Sequence, residues 1–374
     1  MQLKKEFLEL STNFNNNINE DKLLFIGMFL NFYMSKSNFK NKSEIQEHLK
    51  LYFNTEKDPI KTVKEVINSE NTDMNYLLNR LYLKEHFMKT TIDFIIFSIF
   101  YIFIKIFNFL SPRIRLKISE FIGVLLFYLI PKGRKLSYRN LNLILNEQNS
   151  FNYSKKKIKE IAIKSYKNTA KSFLLPFWIY EYFENFSPKI YNSELLEKLK
   201  SENERIILVT SHFGFFHASL FPTRNDTMFI PIRIISNKFI ESYMDKIRFK
   251  NNMTYFPEQN YKSFLKNKNS KGVFVLLSDV RKPDGDKITF FGLPTTNSGF
   301  PAYFSKKENI PIVIIHNEVD ENNICHIFID KVIHPENYKN RHEIMKSILT
   351  EYEKIILKLP EQWFWFQDRW RDGI

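Results

Sequence analysis

The residue best placed to do chemistry is His212. It stands in Ser211-His212-Phe213-Gly214-Phe215-Phe216-His217, directly after Arg205-Ile206-Ile207-Leu208-Val209-Thr210. The β-branched run reads as a buried strand, and Ser-His-Phe-Gly as the turn leaving it. A histidine just past the C-terminal end of a strand in an open α/β sheet lies where such folds place their ligands. Imidazole exchanges protons near neutral pH, which suits a general base taking the proton of a hydroxyl as it attacks a thioester.

Such a base needs an acceptor on its second ring nitrogen to fix the tautomer, and a carboxylate there also stabilises the imidazolium. Five positions after His212 stands a second imidazole, His217. A neutral His217 can set the tautomer of His212, but it supplies no negative charge, and two imidazoles in contact disfavour protonation of either. Asp279 follows the apolar run Gly272–Leu277 and so lies at another strand end. It is the alternative partner. The two histidines also suggest a metal pair, yet helical zinc motifs space their histidines by four, and Asp226 is the one nearby third ligand. No metal and no cofactor are expected.

Arg233 and Asn237 follow the run Met228–Ile232. Arginine is the natural clamp for a phosphate, because its planar fork donates two parallel hydrogen bonds. Arg248 is a weaker version of the same idea. Gly214, in the turn after His212, joins Arg233, Asn237 and Arg248 as a candidate substrate contact.

The elements that position these residues alternate. Strands are predicted at 205–210, 228–232, 272–277, 311–315 and 325–329. Helices are predicted at 238–250, 261–266, 299–307 and 343–359. The pattern implies an α/β fold with a mixed sheet flanked by helices. The segments Arg281 to Lys287 and Phe290 to Thr296 read as loop and turn. Ahead of the sheet, Ile92 to Leu110 is almost wholly apolar and Phe121 to Ile130 is a shorter apolar run. Arg113-Ile114-Arg115-Leu116-Lys117 and Pro131-Lys132-Gly133-Arg134-Lys135 bracket them with positive charge. Nineteen residues would just cross a hydrocarbon layer of roughly 30 Å. Lys105 and Asn108 within the run favour a tilted or interfacial helix, so the pair reads as a membrane-docking hairpin over 89–135. Residues 1–88 read as a helical extension without a chemical motif, and 89–374 as the functional domain.

Composition agrees with this placement. With 38 Phe and 16% aromatic residues the chain is far too apolar for disorder. A net charge of +14 permits nucleic acid or an anionic membrane as partner. The lysines are scattered without an aromatic-basic nucleic-acid module, which favours the membrane. Cys325 is the one cysteine, which excludes a disulfide framework. Met1 to Leu10 lack the apolar core of a signal peptide.

Several short motifs, in order, resemble the lipid A late acyltransferases (lauroyl/myristoyl acyltransferases) of the wider glycerolipid acyltransferase group. They are Arg139-Asn140-Leu141, Thr210-Ser211-His212-Phe213-Gly214, Ile232-Arg233 with Asn237, Ser278-Asp279, Phe290-Phe291-Gly292, Pro311-Ile312-Val313 and Pro360-Glu361-Gln362-Trp363-Phe364-Trp365. The resemblance spans about residues 89–374. It implies a bacterial inner-membrane enzyme with its catalytic domain on the cytoplasmic side. That enzyme would move a fatty acyl group from acyl-carrier protein or acyl-CoA to a hydroxyl of a glycolipid or phospholipid, such as a lipid A precursor. It implies His212 as base, Arg233 as a phosphate contact and Asp279 as an active-site acid. The family's histidine is followed at the fifth position by Asp or Glu, where this chain has His217. That departure raises the alternative of a catalytically impaired relative serving as a lipid-binding or membrane scaffold protein.

Overall fold

The computed structural model describes residues 83–248, 253–258 and 264–371. The expected helical extension 1–88 therefore lies outside the described residues, apart from the start of its last helix. Helices are numbered from the first described one.

Helix α1 (Leu83–Phe109) and α2 (Pro112–Leu129) form the expected apolar pair, and α3 (Pro131–Leu141) follows at once. Pro112 and Pro131 each sit in the first turn of their helix, where the missing N–H costs nothing. Thr91–Phe109 is long and apolar enough to cross a membrane, and 17% of it is buried. Ile95, Ile99, Ile102, Ile106 and Phe109 of α1 and Phe121, Leu125 and Leu129 of α2 are exposed. Their spacing of three and four puts them along a stripe on each helix. Helix α4 (Lys155–Leu174) starts at Ser154, whose hydroxyl accepts from the Lys157 amide. Helix α5 (Ile179–Phe186) leads to the sheet.

The seven-stranded sheet has the order β1-β9-β8-β2-β5-β3-β4. The strands are β1 (Lys189–Tyr191), β2 (Arg205–Thr210), β3 (Met228–Ile232), β4 (Met253–Pro257), β5 (Gly272–Leu277), β8 (Ile312–Val319) and β9 (Cys325–Ile333). Among these, α6 (Ser193–Glu202) precedes β2, α7 (Lys238–Arg248) follows β3, α8 (Phe300–Glu308) precedes β8 and α9 (Arg341–Lys358) follows β9. All pairings are parallel except β8 with β9. The sheet is thus mixed, as expected.

The centre of the sheet is apolar on both faces because helices cover both. Ile207, Val209, Phe274, Leu276, Ile312 and Ile314 belong to one core, while Ile206, Leu208, Val273, Val275, Val313 and Ile315 belong to the other. That split follows the two-residue period of a strand.

Four strands differ from the sequence reading. Strands β1 and β4 fall in stretches left unassigned. Arg281–Phe290 and Leu293–Asn297 are not loop and turn but an antiparallel pair, β6 and β7. Pro283 and Gly285 suggested a loop, yet they sit at the Arg281/Asp286 bulge, where the ladder is already interrupted.

Cys325 is fully buried on β9. Burial pushes its thiol up to about 12. At pH 8 this cuts the thiolate fraction by about a thousandfold against an ordinary cysteine. Native protein is therefore expected to resist maleimide labelling, and denatured protein to take up one label. Rapid labelling of native protein would show the β9 core to be open.

Candidate active site

Strand register brings the two central groups together. Thr210 of β2 lies opposite Leu277 of β5. His212 and Asp279 each stand two residues further on, at the C-terminal ends of adjacent parallel strands. Asp279 Oδ1 lies 2.8 Å from His212 Nδ1. The His212 amide donates to Asp279 Oδ2 at 2.9 Å, and the Trp363 indole donates to the same oxygen at 2.9 Å. Asp279 is fully buried, whereas the His212 side chain keeps 21% of its surface exposed.

Burial alone would push the Asp279 carboxyl up. The His212 imidazole and the donors from His212 and Trp363 outweigh it and hold the carboxyl below the usual carboxylate range. An ionised Asp279 accepts from Nδ1–H, which leaves the His212 Nε2 lone pair as the proton acceptor. Two rings flank the imidazole. Phe364 lies nearly parallel at 5.6 Å between centroids and Phe216 meets it edgewise at 4.9 Å. Phe173 touches both phenylalanines and is half exposed, so an aromatic wall runs from His212 to the surface.

The turn itself is held tightly. Gly214 has φ +55°, and a Cβ there would collide with the backbone and side-chain oxygens of Asn317 on β8. The Gly214 amide donates to Gln362 O at 3.0 Å, the Phe215 amide to Asn317 Oδ1 at 2.7 Å and the Phe213 amide to Ser211 O at 2.7 Å. Asn317 also donates to Ser219 Oγ at 2.7 Å. Tyr352 of α9 donates to Thr210 O at 2.7 Å and anchors the strand end. Gly214→Ala is expected to cost about 1–3 kcal/mol from backbone strain alone, with the clash adding to it. A melting temperature several degrees lower would show this, and an unchanged one would contradict the account.

Three expected site residues have other surroundings. Gly214 was a candidate substrate contact, but its N–H is already taken by Gln362, and its part is to let the chain turn. Asn237 was another, but it is buried and caps α7. Its Oδ1 accepts from the Phe239 and Ile240 amides at 3.1 Å, while Nδ2 donates to Asp93 O at 2.8 Å. His217 was considered as the tautomer partner of His212. Nδ1 of His212 instead faces Asp279, and the His217 ring packs on Phe216 at 4.1 Å. Arg233 stands exposed just past β3, on the sheet edge that carries His212. Two strand spacings separate β3 from β2, about 10 Å. The Arg248 side chain lies outside the described residues. No group of three or more His, Cys, Asp or Glu side chains able to hold a metal occurs among the described residues.

Two participants escaped the sequence reading. Trp363 belonged to the motif Pro360–Trp365, to which no part in the site was given. It is fully buried, pairs through its backbone with Phe213, and reaches Asp279. Asn317 sat inside a strand with no local signal. An indole N–H is donor-only and seeks an acceptor when buried, which is the one hint that Trp363 offered.

Comparison with known proteins adds a family. A crystal structure of the 1-acyl-sn-glycerophosphate acyltransferase PlsC from Thermotoga maritima is similar over 67% of this chain and 99% of that one, with 14% identity and a TM-score of 0.32. No curated protein matches the chain. The model of the bacterial lipid A biosynthesis acyltransferases matches residues 84–372. That span holds the apolar helices, the whole sheet, and His212, Asp279 and Trp363, and the chain belongs to this acyltransferase family.

Proposed function

We propose that this protein is a membrane-associated O-acyltransferase. It moves a fatty acyl group from an acyl-carrier-protein or CoA thioester to a hydroxyl of a glycolipid such as a lipid A precursor, at the cytoplasmic face of a bacterial inner membrane. The observation that carries the reading is the buried Asp279 carboxylate on His212 Nδ1. The acceptor hydroxyl gives its proton to His212 Nε2 as its oxygen attacks the thioester carbonyl. The tetrahedral intermediate collapses with loss of the thiolate, and the imidazolium returns the proton to sulfur. Asp279 stabilises the imidazolium between the two proton transfers.

The amides of residues 212–215 are all engaged within the protein. The oxyanion is therefore stabilised by donors outside this turn. Arg233 supports a phosphate-bearing acceptor, since it is exposed on the same sheet edge. The exposed apolar stripes of α1 and α2, with Arg113, Lys117, Lys132 and Lys135 beside them, support docking at an anionic membrane.

The alternative of an impaired scaffold rested on His217 standing where an acid is usual. Asp279 on His212 Nδ1 supplies a charge that His217 lacks, which supports the active reading over that alternative. Mass spectrometry of membrane lipids from cells with and without the protein tests the reading. A species heavier by one acyl chain, found only with active protein, is expected. Identical lipid profiles, with no thioester consumed by purified protein, would contradict it.

A further inference from the structure

Arg369 is fully buried. Its Nη1 donates to Asn297 Oδ1 at 3.1 Å and to Thr296 O at 3.3 Å. Its guanidinium lies 4.9 Å from the centre of the Phe290 ring. Neither Nε nor Nη2 has a hydrogen-bond partner among the described residues. Within ion-pair distance it has no carboxylate among them either. A buried cation held this way is a poor stabilising device, because desolvation is large and no carboxylate among the described residues makes an ion-pair contact with it. Its contacts lead elsewhere. Asn297 Nδ2 donates to Ser278 O at 2.8 Å, on the residue directly before Asp279. The C-terminal segment thus reaches Asp279 twice, through the Trp363 indole and through Arg369–Asn297–Ser278.

We propose that Arg369 is a positioning residue, which through Asn297 and the Ser278 carbonyl sets the strand end bearing Asp279 and whose charge tunes the His212–Asp279 pair. The proposal rests on the reading of His212 as the base. Burial pulls the Arg369 guanidinium down to about 10, with Asp279 pulling the other way, so it stays a cation at neutral pH. Among the described residues, two other ionisable groups bear on Arg369 and Asp279. Arg281 opens β6, and Tyr352 of α9 is held neutral because burial raises it well above its usual range.

Arg369→Gln keeps hydrogen-bonding capacity towards Asn297 and removes the charge, while Arg369→Lys keeps the charge. A lost cation makes protonation of His212 easier. In full-length protein in lipid, Arg369→Gln is expected to lower kcat about tenfold at neutral pH, with KM for the thioester within about twofold. The acid limb of the pH profile, and the His212 imidazole titration followed by nitrogen NMR, should both move up by about half a pH unit or more. In Arg369→Lys both should stay in place. Asn297→Asp, which gives Arg369 a counter-ion, should move them up as well and serves if Arg369→Gln does not fold. A limb and titration unmoved in Arg369→Gln or Asn297→Asp, or moved equally in Arg369→Lys, would overturn the proposal. Turnover surviving in His212→Ala would instead overturn the base reading, and the NMR titration would still report on Arg369.

Discussion

His212→Ala is expected to lower acyl transfer by about a thousandfold or more, because general bases of this kind contribute roughly 10² to 10⁴ and the Asp279 charge is then left without the imidazolium it serves. The fold should survive. Asp279 keeps the residue-212 amide and the Trp363 indole as donors. The register of β2 with β5 does not depend on the imidazole. Purified variant and parent, given the same acyl thioester and lipid acceptor, are compared by release of carrier thiol. A variant that melts within a few degrees of the parent yet transfers at near-parental rate would show that another group removes the proton.

Asp279→Asn is expected to be nearly as damaging, by about 10³ to 10⁴, on the scale seen when a triad aspartate is amidated. The geometry gives the reason. Two donors, the residue-212 amide and the Trp363 indole, both point at Oδ2. Asparagine must put its carbonyl oxygen there, which turns its NH₂ towards His212 Nδ1. Nδ1 then has to accept, the proton moves to Nε2, and the base is lost while the volume is unchanged. The pH dependence of stability should change too. In the parent, Asp279 is held below the usual range. Its contribution is therefore full above the unfolded value of about 4 and is lost as the pH falls below it. Chemical denaturation at pH 3 and pH 7 should show a smaller difference in Asp279→Asn than in the parent. An equal or larger difference would mean that Asp279 is not an ionised acceptor in the native state.

The strand end and turn that carry His212 were legible because the apolar run, the turn residues and the glycine lie in one local stretch. The strands Arg205–Thr210, Met228–Ile232 and Gly272–Leu277 were legible too, since buried parallel strands read as near-continuous apolar runs. The partner of His212 was not settled, because the His212–Asp279 bond depends on β5 lying beside β2. Strand order is a property of the whole sheet, and nothing around residue 279 records it. His217 is near in sequence but packs on Phe216, whereas Asp279, the alternative partner, is 67 residues on and reaches His212 through the sheet. Asn237, read as a substrate contact, caps α7 in the structure. A polar side chain after a strand resembles a ligand, yet capping the next helix needs the same residue type. Strand β4 and the β6–β7 pair were missed because Pro257, Pro283 and Gly285 suppress a strand reading where edges and bulges tolerate them.

In the proposed mechanism Asp279, and not His217, makes His212 a base. The measurement that meets it most directly is the initial rate of thioester turnover for Asp279→Asn and His217→Ala side by side, with the parent as reference. The account predicts a loss of about 10³ or more for Asp279→Asn and a rate within about tenfold of the parent for His217→Ala, whose ring serves packing. A His217→Ala rate as low as that of Asp279→Asn, or an Asp279→Asn rate close to the parent, would contradict it.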